Sequence, residues 1–414
     1  MGVSTREGGV QNIGVNDRRK DGPESMGLLF IDGNQAVAMG AIYAGCRFFA
    51  AYPITPASSL FSAMLERLPA SGGVVLQGED EIAAIGCCLG ASMAGTKVMT
   101  ATSGPGISLY SENISFAIAG EIPIVIVDVM RQGPSTGSAT LAADGDVQFL
   151  RWGCSGGLPV IVLAPVDVRD CFTLTVHAFN LAERFRCPVF LASNKEVGMT
   201  RETVDLESVE KPDIFDRTPH RSGPFLPFAA KDGEDVPPFL PMGGQVPVRQ
   251  TSSTHGAHGY ITTDAAEIRK GVERLKRKIE SRIGSFTFFD LDARPDARTL
   301  VVTYGVTSRA ARAAAAAIFE KTGTPVSVLT LKTLWPAPEQ LLLEAAAGME
   351  RVVVAEMNLG QYVHEIRRVL CGKPASFHGA VDFCGKMDGR LIAPEEIMNG
   401  VLQNQDDGAQ GLTR

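Results

Sequence analysis

Short apolar runs alternate with longer helical stretches over residues 28–203. The apolar runs predict strands at 47–52, 74–77, 97–102, 123–130, 159–163 and 188–192. The stretches between them predict helices at 33–45, 57–67, 81–94, 107–119 and 167–184. Strands that are apolar on both faces and alternate with helices are typical of a parallel sheet covered on both sides. The pattern therefore predicts an α/β fold with a doubly wound parallel sheet, and ligands beyond the carboxyl ends of its strands.

The pattern changes after this unit. Prolines and glycines crowd residues 206–263, for example in VPPFLPMGGQVP, which indicates an extended connecting arm that lies against a surface. A second α/β domain is predicted over 264–414. It begins with an amphipathic helix at 265–283 and continues with the apolar strand TLVVTYG and an Ala-rich helix.

The first 26 residues are polar and Gly-rich, without the apolar region of a signal peptide. They predict a disordered leader over 1–26 ahead of a first domain at 27–205, and Met26 is the alternative natural start. No apolar run reaches the roughly 18–20 residues that a membrane span needs. The net charge of −7, with no basic stripe, argues against a nucleic-acid partner. Neither a membrane nor a nucleic acid is therefore expected as a partner.

The eight cysteines are spread along the chain, and most lie in apolar segments. Buried free thiols are typical of proteins in a reducing compartment, so a cytoplasmic location is expected. Iron–sulfur ligation requires clustered cysteines such as C-x2-C, and the chain has no such pair. The histidines also lack ligand spacing, so no metal site is expected in this chain. Any cluster that serves the protein is expected on another chain.

Four loops at the carboxyl ends of predicted strands carry the unusual residues. YPITPASS places Thr55 between two prolines that fix its backbone. QGEDEI supplies three acids, TSGPG is a tight turn before a helix, and Arg131 directly follows an apolar strand. Because these ends meet at one edge of a parallel sheet, the four loops together indicate an anion-binding active site. The planar fork of Arg131 suits bidentate binding of a substrate carboxylate, although a surface salt bridge is the alternative.

The three acids are Glu79, Asp80 and Glu81, and a helix that is apolar on every side follows them. Acids in a first helical turn complement the helix dipole, by about 0.3–1 kcal/mol. That effect accounts for acids in general, but not for a carboxylate pressed against Ile82 and Ile85. A buried carboxylate must be paired, hydrogen-bonded or protonated, and a group of this kind suits a proton relay.

Taken together, these motifs resemble one family. GNQAVAMGAIYAG, YPITPASS, QGEDEIAAIG, TATSGPG and MRQGPSTG, in this order and spacing, are similar to the α subunit of 2-oxoacid:ferredoxin oxidoreductases. TYGVTSRAARAA, LKTLWPAP and VVVAEMNLGQ resemble that family's second domain, a transketolase-C-like α/β unit. The resemblance covers about residues 28–400. EMNLGQ and GPSTG favour the 2-oxoglutarate branch.

The resemblance implies thiamine diphosphate chemistry at an interface between subunits. In this family the first domain of the α subunit is of the pyrimidine-binding type. The β subunit carries the Mg2+–diphosphate site and at least one iron–sulfur cluster, and this chain lacks the G-D-G…N pattern of a diphosphate-binding domain. The implied reaction is oxidative decarboxylation of a 2-oxoacid to acyl-CoA and CO2, with coenzyme A as co-substrate and ferredoxin as acceptor. A fused γ domain is absent here, so separate γ and ferredoxin-like δ subunits are expected partners.

The resemblance also assigns a role to one of the three acids. Glu81 matches the glutamate that bonds N1′ of the aminopyrimidine ring, judged by its distance from the following Gly90-Ala91 pair. A carboxylate there promotes the imino tautomer, whose nitrogen removes the C2 proton of the cofactor. Glu79 is the alternative if the register is wrong.

Other site residues follow from the same resemblance. Thr55 matches the threonine that contacts substrate in the Y-P-I-T-P loop, and Arg131 matches the arginine at the 2-oxoacid carboxylate. Thr102 and Ser103, before Gly104, are expected near the cofactor ring or the substrate.

One segment departs from the family pattern. SATLAADGDVQFLRWG follows GPSTG, where a Pro-Thr and a Gln-Gly-Asp-Leu-like run is expected. That loop is expected to line the substrate side, so phenylglyoxylate or a branched-chain 2-oxoacid, with NAD as acceptor through extra subunits, stays open. Two further classes are a non-catalytic structural or regulatory pseudo-subunit and a self-sufficient transketolase-like enzyme. The intact Thr55, Glu81 and Arg131 argue against the first, and the missing diphosphate motif argues against the second.

Overall fold

A computed structural model describes residues 27–154, 156–209, 211–231, 233–372 and 377–407. The predicted leader and the alternative start at Met26 lie outside the described residues. Within them, the chain forms two α/β units in sequence, each built on its own sheet. The predicted fold class is confirmed, whereas the exact domain boundaries stay a prediction.

Fourteen strands occur in the described residues. They are β1 (Leu29–Asp32), β2 (Phe48–Ala51), β3 (Val74–Gln77), β4 (Val98–Thr102), β5 (Ile124–Met130), β6 (Ile161–Leu163), β7 (Pro188–Asn194), β8 (Arg201–Val204), β9 (Phe289–Asp292), β10 (Thr299–Tyr304), β11 (Val326–Leu331), β12 (Thr333–Trp335), β13 (Arg351–Glu356) and β14 (Ala380–Gly385).

The α-helices of the same residues number thirteen. They are α1 (Gly33–Tyr43), α2 (Ser58–Arg67), α3 (Glu81–Met93), α4 (Gly104–Leu109), α5 (Ser111–Ala119), α6 (Val147–Trp152), α7 (Val168–Phe185), α8 (Lys195–Met199), α9 (Ala265–Glu280), α10 (Thr307–Thr322), α11 (Glu339–Ala346), α12 (Val363–Cys371) and α13 (Pro394–Asp407).

The first sheet has seven strands in the order β12-β6-β7-β5-β4-β2-β3. Its six strands from the first half of the chain are parallel, while β12 comes from the second half and pairs antiparallel with β6. Every residue of β5 and β7 is buried, because helices cover both faces. The sequence pattern did not predict β12, α6 or the separate β1–β8 ribbon. The predicted helix at 107–119 is two helices, α4 and α5, which meet at Tyr110.

The second sheet has the order β14-β13-β10-β11-β9, parallel except for β9 at one edge. The apolar core on one face of the first sheet is continuous with the core of the second unit. Trp335 is part of this shared core, and its Nε1 donates a hydrogen bond to Val147 O at 3.1 Å. The two units therefore share buried surface rather than meeting only at a linker.

In the described residues of the connecting segment between β8 and α9 there is no helix or strand. Charged side chains hold this segment against the first unit. Arg217 forms a buried bidentate ion pair with Glu183 of α7 and donates to Ser92 O at the end of α3. Met242 N also donates to Met93 O at 3.0 Å. These contacts place the segment along the ends of α3 and α7, on the surface of the first unit.

A buried ion cluster joins α9 to the first unit. Glu121, which follows α5, is 1 % exposed and accepts hydrogen bonds from Lys278 at 2.9 Å and from Arg274 at 3.0 Å. Burial alone would raise the pKa of Glu121, but Lys278 and Arg274 outweigh it and lower this pKa to about 2. The carboxylate is therefore charged and neutralised in place by two cations.

Candidate active site

The carboxyl ends of β2, β3, β4 and β5 lie at one edge of the first sheet, where the candidate site residues follow them. The three acids after β3 have different environments. Asp80 is the N-cap of α3, and its carboxylate accepts a hydrogen bond from Ala83 N at 2.7 Å. Glu79 is exposed, while Glu81, the first residue of α3, is only 8 % exposed. Glu81 is therefore buried, as a proton-relaying carboxylate at a cofactor ring would be, whereas the alternative residue Glu79 is exposed to solvent.

Glu81 lies against the TSGPG turn. A Cβ built on Gly106 would lie 3.0 Å from Oε1 of Glu81 and 2.0 Å from Oγ1 of Thr102, so only glycine fits between them. The hydroxyls of Thr102 and Ser103 are fully buried, and neither has a hydrogen-bond partner among the described residues. The turn thus brings a carboxylate and two unpaired hydroxyls together. The helix that follows, α4, is only six residues long.

Arg131 connects two of the other loops. It is 5 % exposed, its Nη1 donates to Thr55 O, and its Nη2 donates to Thr136 O at 2.8 Å. Two of its five N–H groups are therefore used on backbone carbonyls, and Nε has no partner among the described residues. The Thr55 loop is also fixed by α1, because Asn34 Nδ2 donates a hydrogen bond to Pro56 O at 3.0 Å. The predicted Arg131 and Thr55 are adjacent in the fold.

Two carboxylates at this edge were missed by the sequence interpretation. Asp128 lies in the middle of β5, in register with Thr102 of β4, and neither of its buried oxygens has a partner in the described chain. Asp146 precedes α6, and its buried Oδ2 would lie 3.7 Å from a Cβ on Gly104. Burial raises the pKa of Asp146 to about 6 against the opposing charge of Arg131. Burial, and then Asp146, raise the pKa of Asp128 well above its usual range.

A third buried acid ties this loop to the second unit. Asp144 Oδ1 accepts from Asn194 Nδ2 at 2.9 Å, and its backbone pairs with Met357 and Asn358 at 2.8 and 2.9 Å. Burial raises the pKa of Asp144 to about 7; the Asn194 hydrogen bond opposes this shift, and Glu356 adds to it. The signal for these acids was present in the sequence, as a charge inside an apolar strand (IVIVDVM) and as the short run DGD.

The structure therefore brings all the predicted site residues to one sheet edge. Glu81 and Thr102 meet at Gly106, and Arg131 contacts Thr55. In the turn after Thr102, a Cβ on Gly104 would lie 3.7 Å from Asp146 Oδ2, and the charge of Arg131 opposes the rise in the pKa of Asp146. Listed by residue, the edge comprises Thr55, Glu81, Thr102, Ser103, Gly104, Gly106, Asp128, Arg131 and Asp146.

We expect Gly106→Ala to lower the free energy of unfolding by about 1–3 kcal/mol, the usual cost of overpacking. The added methyl group would overlap Oγ1 of Thr102 and the side chain of Glu81. Gly271→Ala is the matched control, because a Cβ on this helical glycine meets nothing within 4 Å. Urea unfolding followed by circular dichroism measures both. An unchanged midpoint for Gly106→Ala would contradict the packing described here.

Comparison with known proteins identifies the class. The thiamine diphosphate-binding domain of pyruvate flavodoxin/ferredoxin oxidoreductases matches residues 39–274, which is more than half of the chain. Core domain II of pyruvate:ferredoxin oxidoreductase matches residues 297–397. The chain belongs to this family of thiamine diphosphate-dependent 2-oxoacid oxidoreductases. The predicted family, and with it the class of enzyme, is confirmed.

Within this class, the chain is similar to 2-oxoglutarate synthase subunit KorA. It is 40 % identical to KorA of Methanothermobacter marburgensis over 377 residues, which are 90 % of this chain and 98 % of that protein. It is 41 % identical to KorA of Methanocaldococcus jannaschii over 381 residues, 91 % of this chain and 100 % of that one. Ketoisovalerate oxidoreductase subunit VorB of Methanothermobacter thermautotrophicus is 32 % identical over 388 residues, 93 % of this chain and 100 % of that one.

Solved structures agree. The 2-oxoglutarate:ferredoxin oxidoreductase of Magnetococcus marinus, solved with 2-oxoglutarate, coenzyme A and succinyl-CoA bound, superposes with a TM-score of 0.82 at 32 % identity. The match covers 91 % of this chain and 65 % of that longer chain. A split-gene transketolase in an inactive β4 tetramer shares the fold, with a TM-score of 0.53 at 13 % identity over 90 % of this chain and 97 % of that one.

Two further features concern the described residues. No group of three or more His, Cys, Asp and Glu side chains in those ranges is arranged to hold a metal ion. None of the helices in the same part of the chain combines the length and hydropathy of a membrane span. The relatives KorA and VorB are named as subunits, so the chain belongs to a family of multisubunit enzymes.

Proposed function

We propose that this chain is the catalytic α subunit of a 2-oxoglutarate:ferredoxin oxidoreductase. The complex would convert 2-oxoglutarate and coenzyme A to succinyl-CoA and CO2 and pass the electrons to ferredoxin. The observation that carries this proposal is the sheet edge that holds the buried Glu81, the contact of Arg131 with Thr55, and the unpaired buried hydroxyls of Thr102 and Ser103. The identity of about 40 % to several KorA subunits supports 2-oxoglutarate over other acids. A cytoplasmic location stays a prediction.

The residues present fit the pyrimidine half of thiamine diphosphate. The buried carboxylate of Glu81 and the buried, unpaired hydroxyls of Thr102 and Ser103 are polar groups with which the edge of an aminopyrimidine ring could form hydrogen bonds. When bound, the cofactor supplies the nucleophilic carbon that attacks the 2-oxo group and accepts the electrons that decarboxylation leaves. The role of Glu81 is to hold a proton at N1′ of the ring.

Thr55 and Arg131 would act on the substrate. The guanidinium of Arg131 keeps N–H donors beyond those used on Thr55 O and Thr136 O. Its fixed charge attracts the 2-oxoacid carboxylate, while the two backbone contacts hold it in one orientation. The same contact positions the Thr55 loop, so binding of the substrate and placement of Thr55 are coupled.

Partner subunits would complete the site. Next to Glu81, α3 presents an exposed face with Ile82, Ala83, Gly86 and Cys87, and Ile82 is 49 % exposed. We infer that a β subunit covers this face and brings the Mg2+–diphosphate site and an iron–sulfur cluster, with γ and ferredoxin-like δ subunits beyond it. The isolated chain should accordingly bind thiamine diphosphate poorly. Tight binding by the chain alone would instead favour a self-sufficient transketolase-like enzyme.

A branched-chain 2-oxoacid is the second candidate substrate. The similarity to ketoisovalerate oxidoreductase subunit VorB favours it, at the lower identity of 32 %. The test is co-purification of the chain with its partners from the native host, followed by iron analysis and a turnover screen. The screen would compare 2-oxoglutarate, pyruvate, phenylglyoxylate and branched-chain 2-oxoacids, with ferredoxin and NAD as acceptors. A complex that turns over none of them would overturn the catalytic proposal in favour of the pseudo-subunit.

We expect Arg131→Lys to lower kcat/KM of the assembled complex for its 2-oxoacid by about 10–100-fold, mainly through KM. A lysine ammonium cannot keep the planar fork that bonds Thr55 O and Thr136 O, and hydrogen bonds to charged groups contribute about 1.5–3 kcal/mol. Arg298→Lys, at an exposed position, is the control. Steady-state kinetics measure both variants, and an unchanged KM in Arg131→Lys would exclude the assigned contact.

A further inference from the structure

Asp146 differs from the other aspartates that precede helices in this chain. In the described residues, four helices begin after an aspartate that has an extended backbone and whose carboxylate accepts a hydrogen bond of 2.7–3.0 Å from the second or third helical N–H group. These caps are Asp32, Asp80, Asp167 and Asp264. Asp146 precedes α6 with φ −100° and ψ 0°, and its carboxylate makes no capping hydrogen bond. The cap of α6 therefore has to come from another residue.

Gln361 of the second unit provides this cap. Its Oε1 accepts a hydrogen bond at 2.9 Å from Gln148 N, the N–H group of the second residue of α6. Its Nε2 donates to Gly145 O, directly before Asp146. Gln361 is itself fixed, because its N donates to Asn358 Oδ1 at 2.9 Å. One side-chain amide thus binds the backbone on both sides of Asp146 and replaces the capping carboxylate.

The Asp146 carboxylate lies instead against the TSGPG turn. Its two oxygens would lie 3.7 and 4.0 Å from a Cβ on Gly104. Oδ2 is buried and has no hydrogen-bond partner among the described residues, and the same is true of the Ser103 hydroxyl in this turn. Buried polar atoms without partners are costly, so two of them at one turn indicate a place where a ligand supplies the missing hydrogen bonds.

We propose that Gln361 is a positioning residue of the candidate active site. It caps α6 in place of Asp146 and so holds the Asp146 carboxylate at the Gly104 turn, where the carboxylate accepts a hydrogen bond from an N–H group of a bound ligand. Ionised 2-oxoglutarate carries only acceptors, so the donor belongs to thiamine diphosphate or to coenzyme A. This inference rests on the proposed function.

The binding test uses the assembled complex. In Gln361→Ala the Gln148 N–H group loses its acceptor, and Asp146 turns back to cap α6 as the other four aspartates cap their helices. We expect Gln361→Ala and Asp146→Ala each to weaken binding of one ligand roughly tenfold or more, since the hydrogen bond to a charged group is lost. Calorimetry of the cofactor-free complex gives Kd for thiamine diphosphate, and kinetics give KM for coenzyme A. Whichever constant rises identifies the donor.

Two further variants separate positioning from general damage. Because Gln361 acts through Asp146, adding Gln361→Ala to Asp146→Ala should cause no further loss of binding. Gln148→Ala is the matched control, since it removes the hydrogen bond from Gln148 Nε2 to Gln361 O at 2.6 Å but keeps the capped N–H group. It should bind both ligands normally. Additive losses in the double variant, or unchanged Kd and KM in Gln361→Ala, would overturn the proposal.

Urea unfolding of the full chain tests the change of cap without turnover. Asp146 is not a cap in the unmodified chain, so Asp146→Ala should not lower the urea midpoint there. In the Gln361→Ala background Asp146 caps α6, so the same substitution should lower the midpoint. An equal change in both backgrounds would exclude the change of cap. A complex without turnover would contradict the proposed function alone, because the urea midpoints still decide which residue caps α6.

Discussion

Replacing Glu81 with glutamine is expected to abolish turnover of the assembled complex and to leave assembly intact. Glutamine has the same shape and fits against Gly106 as glutamate does, but its amide cannot hold the proton at N1′ of the cofactor ring. Loss of one general acid–base group typically lowers rates by about 10²–10⁴-fold. The measurement is kcat with 2-oxoglutarate, together with size-exclusion chromatography of the complex and its thiamine diphosphate content.

Glu79 provides the matched control for this prediction. It lies two residues before Glu81 and carries the same charge, but it is exposed. Glu79→Gln should therefore retain near-normal activity. The reverse result, an active Glu81→Gln complex and an inactive Glu79→Gln complex, would move the proton-relay role to the register alternative. Near-normal activity in both variants would remove the role from this acidic stretch.

The second large effect concerns stability. We expect Glu121→Gln to lower the free energy of unfolding by about 3–5 kcal/mol, because it leaves the ammonium of Lys278 buried without its counter-charge. Lys278 is 2 % exposed, so water cannot replace the lost carboxylate. Urea unfolding measures the effect. Glu350→Gln is the control, since its ion pair with Arg298 is exposed and contributes little. Equal midpoints for the two variants would contradict the role of the buried cluster.

The buried ion cluster around Glu121 also makes the stability of the folded chain depend on pH. The pKa of Glu121 is depressed from 4.5 to about 2, so the ionised form is favoured in the folded state. Its contribution to stability is fully present above about pH 4.5 and is lost as the pH falls toward 2. The free energy of unfolding of the unmodified chain should therefore fall more steeply with decreasing pH in this window. In Glu121→Gln the free energy of unfolding should depend less on pH over the same window.

Much of the first sheet could be predicted from sequence, because its strands are continuous apolar runs between helices of regular period. β4, β5 and β7 are buried along their whole length and are read directly from such runs. β12 could not be predicted in this way. It is three residues long, and its partner β6 lies far away in the sequence, so neither period nor length indicates the pairing.

The residues of the candidate site also fall into those that the sequence predicts and those that it does not. Glu81 and Arg131 follow strands directly, and their sequence position indicates which sheet edge they occupy. Asp128 was missed because its strand is otherwise apolar. An apolar run predicts a buried strand, but it does not assign a role to a single charged residue inside that strand. Asp144 was missed because its partners Asn194 and Asn358 come from distant parts of the chain. Contacts of this kind exist only after folding.

The pairing of β12 with β6 has a consequence for the order of events on the ribosome. The edge strand of the first sheet is supplied by residues Thr333–Trp335, which follow β9, β10 and β11 of the second unit in the chain. Until then, β6 presents an open edge, the kind of surface on which strands of other chains can add. The nascent first unit is thus incomplete for the greater part of translation, and the late arrival of one short segment closes it.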